Sequence, residues 1–541
     1  MRARLHGQNT YRQTADTAVT FAVPAGRATA MTLAQSLVTD ALIEPAKPRP
    51  QVGYMFPALQ NNPDSRLPMS PAMPEALAAL GRAMVNEPSS NNGPIPAAYT
   101  YFGQFIDHDI TKTSFDFSLR PADGSDLIEG PALTPLSPEQ VTALVFNDRS
   151  FALDLDSVYG GDAKDTILPN GRFRIGQLSL SGFNPIPTVE RTHDLPRRNP
   201  DPGNPALDRA ALIGDPRNDE NLLVAQTHVA FLRSHNLLVD RGLSFGQARR
   251  AMRRRYQWAV LHDFLPRVCD PSVIQEVLAD GPRIFKPATA ADMVMPVEFS
   301  AAAYRFGHSM IREAYDHNAT FGPPPAPFPA TFNLLFTFTA LSGDLSPAPG
   351  PSQAFPTLPD NWTIDWRRFF GTVADPASLN PARLIDTHLM PELTKLPDDV
   401  GKPLEGMMAV LAARNLRRGY LLGLPTGQAA AAAAGVAPLA RQVLADAVAP
   451  AERAAVEAAG LLDRTPLWFY ILAEAGNAAG PRGRHLGPLG SRIVAETLWN
   501  CARFAADSVI AEPLTPIELS TGEFTLKGLI RIGIDDLFTG F

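Results

Sequence analysis

Residues 101–109 read Tyr-Phe-Gly-Gln-Phe-Ile-Asp-His-Asp. Apolar side chains recur through 97–110 at the three- and four-residue intervals of an α-helix, so a helix is expected there. On it, Gln104 and His108 stand at i and i+4 and share a face. Asp107 and Asp109 then flank that face by about 100° on either side. An amide and a neutral base would point into one cavity, with a carboxylate at each edge.

Four further blocks carry related chemistry. In Ala303-Tyr304-Arg305-Phe306-Gly307-His308-Ser309-Met310, Gly307 leaves room for something flat to approach the backbone, and Arg305 is a cation one turn before His308. Gly214-Asp215-Pro216-Arg217-Asn218-Asp219-Glu220-Asn221 opens a long helix, with Arg217 and Glu220 at i and i+3. Leu411-Ala412-Ala413-Arg414-Asn415-Leu416-Arg417-Arg418-Gly419 offers an amide and a cation one turn apart. Ser150-Phe151-Ala152-Leu153-Asp154-Leu155-Asp156 sets oxygen donors at alternate positions, as a hard-cation loop does, without the EF-hand glycine and glutamate. Taken singly, His108 and His308 also suit the ordinary role of a buried, hydrogen-bonded core histidine. His228 and His235, seven apart on one helix face, read as core histidines, and His262 as a partner of Asp263 or a packing residue.

Further outward, helical periodicity marks 218–240, 244–265, 297–315, 404–420, 464–476 and 490–507. The alanine run 429–434 reads as a plain helix. Strand-like alternation is scarce, and Arg172–Leu180 is its best case, suggesting one hairpin. Segments 120–170, 182–215 and 318–364 read as long ordered loops. The 52 prolines among 541 residues are about twice the usual ~5% and fit such stiffened connections. The expectation is a mainly α fold: a single large helical domain over 51–541, with long Pro-rich loops and minimal β-structure, preceded by an N-terminal arm over 1–50.

A net charge of −7 argues against a nucleic-acid binder. The arginine run Arg249, Arg250, Arg253, Arg254, Arg255 reads as a solvated helix face or internal ion pairs. Two cysteines, Cys269 and Cys501, cannot build a disulfide framework or a structural zinc site and are expected as buried thiols. No stretch approaches the length of a transmembrane helix, and the N-terminus lacks a conventional signal peptide. The chain therefore reads as soluble, either cytoplasmic or exported by a non-classical route.

In their order, the five blocks FGQFIDHDIT, LDLDSVYG, GDPRNDEN, YRFGHSMI and LAARNLRRG resemble the animal-type haem peroxidases, the superfamily of myeloperoxidase, lactoperoxidase and peroxidasin. The likeness runs from about residue 97 to 505. It implies haem b and calcium as cofactors, and hydrogen peroxide with a small electron donor as substrates. His108 resembles the distal histidine, Arg217 the distal arginine, and Gln104 the glutamine that holds distal water or halide. His308 resembles the proximal iron ligand, with Asn415 accepting its Nδ1–H. Arg305 and Arg418 match positions facing the haem propionates. Asp109, Ser150, the carbonyl of Ala152, Asp154 and Asp156 match the calcium site. Asp107 and Glu220 match the carboxylates that family members esterify to haem.

Two departures from the family pattern stand out. Asn221 occupies the place where myeloperoxidase carries a methionine that forms a sulfonium link, so that bond is excluded. The usual continuation after the proximal asparagine is replaced by Gly419-Tyr420-Leu421-Leu422-Gly423. The resemblance implies a peroxidase that forms a high-valent iron state and oxidises bromide, iodide, thiocyanate or phenols more readily than chloride. A haem fatty-acid dioxygenase of the same superfamily is the alternative, but it needs a tyrosine where Arg305 stands, and Tyr304 is one residue too early. A catalytically inert adhesion protein on this fold is the other.

Overall fold

The computed structural model describes residues 10–12, 51–85, 91–122, 125–131, 133–179, 193–199, 201, 203–204, 207, 209–340, 358–372, 379–395 and 405–534. Of the arm expected over 1–50, only Thr10–Arg12 lies among them. The longer helices are α1 (Met73–Ala83), α2 (Ala98–Ile110), α3 (Leu222–Asp240), α4 (Phe245–Ala259), α5 (Pro271–Asp280), α6 (Phe332–Ala340), α7 (Leu411–Leu421), α8 (Pro450–Ala458), α9 (Leu467–Gly476), α10 (Pro488–Arg503) and α11 (Leu526–Ile534). Strands are few and short. β1 (Thr10–Arg12), β4 (Thr113–Asp116) and β5 (Val145–Asn147) form one sheet, in which β1 runs parallel to β4. β2 (Val52–Gly53) pairs with β6 (Met295–Pro296), and β3 (Asn92–Pro96) with β7 (Pro381–Arg383). The expected mainly α class holds.

The elements share one large apolar core. α3 sits at its centre, with α2, α4, α6 and α11 against it. Its burial on nearly every face explains a sequence that is apolar all round rather than striped. α7 crosses α1 at Gly81, where a Cβ would stand 2.5 Å from Ala413 N, so only glycine permits the approach.

The arginine run on α4 turns inward. Arg253 Nε donates to Asp154 O at 2.6 Å, Arg254 Nη1 to Glu512 O at 2.9 Å, and Arg255 pairs with Glu523 at 2.8 Å. These bonds tie the C-terminal segment and the 150–156 loop to α4. His262 stacks on Trp258 with ring centroids 3.8 Å apart. Asp263 instead accepts from Tyr99 Oη, Arg267 and Leu526 N, fixing the start of α11. Cys269 and Cys501 are free and buried.

Three expectations are corrected. Among the described residues, 172–179 form no extended strand pair: only Phe173 pairs locally, across the turn 168–171, and the rest goes to other partners. Phe173 bridges Ile167, Gly176 bridges Asp194, and Ser179 bridges Pro359. The Asn236 side chain also satisfies both backbone groups of Phe173, at 2.6 and 2.8 Å. The 297–315 helix is broken at Ala302 (φ −133°, ψ −76°) into Val297–Ser300 and a 3₁₀ stretch, Ala303–Met310, and it ends there. The loops contain helices: Pro138–Leu144, started by a Ser137–Gln140 capping box, and α6.

Glu298 is fully buried and accepts from Met55 N at 2.9 Å and Phe56 N at 3.3 Å. Burial pushes its carboxyl up from 4.5 to about 7, against those two donors. The folded state thus favours the neutral acid. Its stabilisation is complete below the ordinary value and is lost as pH rises through about 7. Glu298→Gln should therefore compare best with wild type at about pH 8 and worst at about pH 5, read from urea unfolding midpoints.

Candidate functional site

The last turn of α2 presents His108, which is fully buried. Its Nδ1 lies 2.8 Å from Asn218 Oδ1, and Asn218 Nδ2 lies 2.9 Å from His228 Nδ1. An amide oxygen only accepts and an amide nitrogen only donates. His108 therefore carries its proton on Nδ1 and a lone pair on Nε2, and His228 accepts at Nδ1. Burial lowers both imidazoles to about 3, with Arg217 adding to the effect on His108, so both are neutral at ordinary pH.

Asn218 is delivered by the short 3₁₀ segment Pro216–Asp219, whose N-cap is Asp215. Asp215 has no exposure and accepts from Arg149 Nε at 2.8 Å and Arg217 Nη2 at 2.7 Å. Burial opposes its ionisation, but Arg217 and Arg149 outweigh it and hold the carboxyl well below the usual range. The same Arg217 Nη2 donates to Thr111 O at 2.7 Å and His108 O at 3.1 Å, capping the end of α2. Much of Arg217 is thus committed to this node, beside the cavity its sequence position suggested.

Gln104, Glu220 and Asn221 come together nearby. Gln104 Nε2 donates to Glu220 Oε2 at 3.4 Å, and Asn221 Nδ2 donates to Gln104 Oε1 at 3.0 Å. Asn221 is also the N-cap of α3, accepting from Val224 N at 3.1 Å. Asp107 accepts from Thr111 Oγ1 at 2.6 Å, and burial raises its carboxyl against the pull of Arg217 and Arg305.

On the other side, His308 lies in the Ala303–Met310 stretch and is 8% exposed. Asn415 Nδ2 stands 2.9 Å from His308 Nδ1, leaving the buried Oδ1 of Asn415 without a hydrogen bond. Turning the amide end for end sets Oδ1 against Nδ1–H and leaves a lone pair on Nε2, the form a metal ligand requires. Burial lowers His308 to about 3, helped by Arg305, Arg414 and Arg418. A Cβ on Gly307 would meet no atom within 4 Å. Three arginines thus surround one neutral histidine.

Asp109 points away from this cavity into the 150–156 loop, accepting from Leu155 N at 3.1 Å and Ser157 N at 3.2 Å. Leu155 is left-handed (φ 58°) and folds the loop back. Ser150 Oγ donates to Asp154 Oδ1 at 3.2 Å, and Asp154 N donates to Ala152 O at 2.9 Å. Burial, Asp154 and Asp156 together push Asp109 up to about 8. Among the described residues, no group of three or more His, Cys, Asp or Glu side chains is arranged as a metal site.

Residues 136–332 match the family model of the animal haem peroxidases. Over that span the chain is similar to the animal haem peroxidases. The match takes in the 150–156 loop, Arg217, Glu220, Arg305 and His308, whereas Gln104, Asp107, His108, Asp109, Asn415 and Arg418 lie outside it. A peroxidase-like protein from Margaritifera margaritifera is 28% identical over 271 residues, 42% of this chain and 33% of that protein. A peroxidasin homolog from Caenorhabditis briggsae is 24% identical over 44% of this chain and 23% of its own length. Human thyroid peroxidase is 32% identical over 124 residues, 21% of this chain and 13% of its own length. The chain therefore spans a third or less of these relatives. Among solved structures, peroxidase A from Dictyostelium discoideum superposes with a TM-score of 0.56 over 90% of this chain and 93% of that one, at 15% identity. A fatty acid alpha-dioxygenase from Arabidopsis thaliana gives 0.51 over 90% and 77%, at 12% identity. At such identities the likeness is one of fold.

The sequence reading missed Asn218 and Asp215 as the residues that set His108 and Arg217. Their only signal was their place within GDPRNDEN. Removing Asp215 would leave Arg149 and Arg217 as uncompensated, largely buried charges. Asp215→Ala should destabilise the fold by about 3–5 kcal/mol, and Asp215→Asn by less, in urea unfolding.

Proposed function

We propose that the chain is a haem-dependent peroxidase. The observation that carries this reading is a pair of buried, neutral histidines from separate elements, each held at Nδ1 by an asparagine. The donor set suits a haem: open space at the Gly307 backbone, an imidazole with a second-sphere amide, and buried Nε and Nη1 of Arg305 that make no hydrogen bond among the described residues. When bound, haem supplies the redox-active iron that takes oxidising equivalents from hydrogen peroxide. His308 would hold the iron through Nε2, while the bond from Nδ1–H to Asn415 fixes the tautomer and strengthens the donor.

His108 accepts a proton of hydrogen peroxide at Nε2 and returns it to the departing oxygen, which leaves as water. Its low basicity matters here, because a protonated imidazole could not begin the cycle. Arg217 cannot lose its proton, so it contributes a fixed positive charge. Gln104, held between Glu220 and Asn221, presents its amide to water or a halide. Arg305 and Arg418 would face the haem propionates. Asp107 and Glu220 are proposed as the residues that become ester-linked to haem on peroxide turnover. With Asn221 in place of a sulfonium-forming methionine, bromide, iodide, thiocyanate or phenols are the favoured donors over chloride.

Calcium is proposed between Asp109 and the 150–156 loop, because Asp154 and Asp156 raise the proton affinity of buried Asp109 and a hard cation would offset that repulsion. The domain would span 51–541, with 1–50 as an arm. Among the described residues, no helix is long and apolar enough to cross a membrane. The structural likeness to a fatty acid alpha-dioxygenase keeps that activity as the second reading.

His308→Ala should lose the Soret band of bound haem. His108→Ala should keep it but react with peroxide about 10²–10⁴ times more slowly. Equal haem loss in both would overturn the assignment, and oxygen uptake with a fatty acid in the absence of peroxide would favour the dioxygenase. For calcium, exhaustive chelation or Asp154→Ala should lower both the melting temperature and the peroxide rate. If neither moves, the loop is held by hydrogen bonds alone.

A further inference from the structure

Arg414 is a buried cation for which the resemblance supplies no role. It is 1% exposed, and among the described residues none of Nε, Nη1 and Nη2 makes a hydrogen bond. Arg383, 2% exposed, shares this feature among the described residues, but two other buried arginines behave differently. Arg417, on the same helix, donates to Ile128 O at 2.7 Å and Pro74 O at 2.9 Å, and Arg492 pairs with Glu276 and Glu496. A guanidinium brings five N–H donors, and burying it unpaired costs several kcal/mol. Burial lowers its pKa to about 10, only partly offset by Asp126 and Glu220. Those two carboxylates are already engaged, Asp126 by Ile128 N at 3.0 Å and Glu220 by Gln104. Among the described residues, none completes this site.

Its surroundings define what does. Arg414 and Arg418 stand at i and i+4 on α7, on one face, and Arg305 comes from the segment that carries His308. All three act on His308 electrostatically. A ligand that meets them beside a metal-ligating imidazole must present more than one anionic group in a flat, fork-compatible form. Two carboxylates on the rim of one planar molecule meet that description.

We propose that Arg414 is an additional anchor for a haem propionate, supplementing Arg305 and Arg418. This rests on the haem reading above, and the experiment separates the two. The full-length chain, produced without haem and never exposed to peroxide, is titrated with haemin and with haemin dimethyl ester, following the Soret band. Wild type should prefer haemin. Arg414→Gln should weaken haemin binding about tenfold or more and leave the dimethyl ester unchanged, as expected for one lost charge-assisted pair. Arg414→Lys should fall between, since it keeps the charge but not the fork.

Thermal unfolding gives a second readout that does not depend on activity. The haem-free Arg414→Gln chain should melt above haem-free wild type, because an unpaired buried charge is gone, and it should gain less from haemin. Equal weakening toward both forms of haemin would make Arg414 a packing residue and overturn the proposal. Unchanged affinity for haemin, with loss of benzoate binding to the loaded protein, would reassign it to a free carboxylate and overturn it too. If wild type binds neither form, the haem reading falls and takes the proposal with it.

Discussion

Asp215 is a carboxylate with no exposure that holds two arginines by charge and the segment Pro216–Asp219 by its N-cap bond. Each tie serves a different part of the site. Arg217, fixed by it, closes the carbonyl end of α2. Arg149, fixed by it, donates to Gly214 O at 3.0 Å and begins the loop that meets Asp109. The capped segment brings Asn218 to His108. One ionised group in the interior thus sets the end of the helix, the entry of the loop and the tautomer of the imidazole. Because its charge is balanced twice over, the carboxylate stays ionised, and the arrangement does not relax as pH varies around neutrality.

The surroundings of His108 and His308 are built on opposite electrostatic plans. Around His108 the charges are balanced locally, and the imidazole is kept neutral mainly by dehydration. Around His308 there is an excess of positive charge, from Arg305, Arg414 and Arg418, with no carboxylate among the causes that shift His308. An imidazole in such a field is a poor proton acceptor and remains available as a ligand. Three cations thus bear on His308, whereas the charges around His108 are paired within the Asp215 node.

Much of this was legible in the sequence because it is local. The apolar spacing of 97–110 placed α2 to within a residue, and the i, i+4 relation of Gln104 and His108 follows from the helix alone. The Arg249–Arg255 run was open between solvent and ion pairs, and only the C-terminal segment, far away in sequence, decides for the latter. What was not legible depended on tertiary partners. Asn236, some sixty residues downstream, takes both backbone groups of Phe173 and so limits strand pairing there. The break at Ala302 leaves a 3₁₀ stretch where periodicity implied a continuous helix. Asn218 looked like one more polar residue in a loop, since its meaning lies in two histidines, one about 110 residues away and one ten.

Consecutive residues 107, 108 and 109 direct three side chains to three destinations: Thr111 and the arginines, Asn218, and the 150–156 loop. The three directions are about 100° apart, so they depend on the rotational setting of α2 about its own axis. That setting is pinned at its C-terminal end, where Asn147 donates to Ile110 O at 2.8 Å and accepts from Lys112 N at 2.6 Å. The helix can therefore absorb exchange of one buried side chain for another of similar volume, but not a change in the number of residues ahead of the pin. Deleting or inserting a single residue between Gln104 and His108 would turn the upstream face, Gln104 with it, by about 100° relative to His108. In this segment, sequence drift is confined to substitution, and length is the invariant quantity.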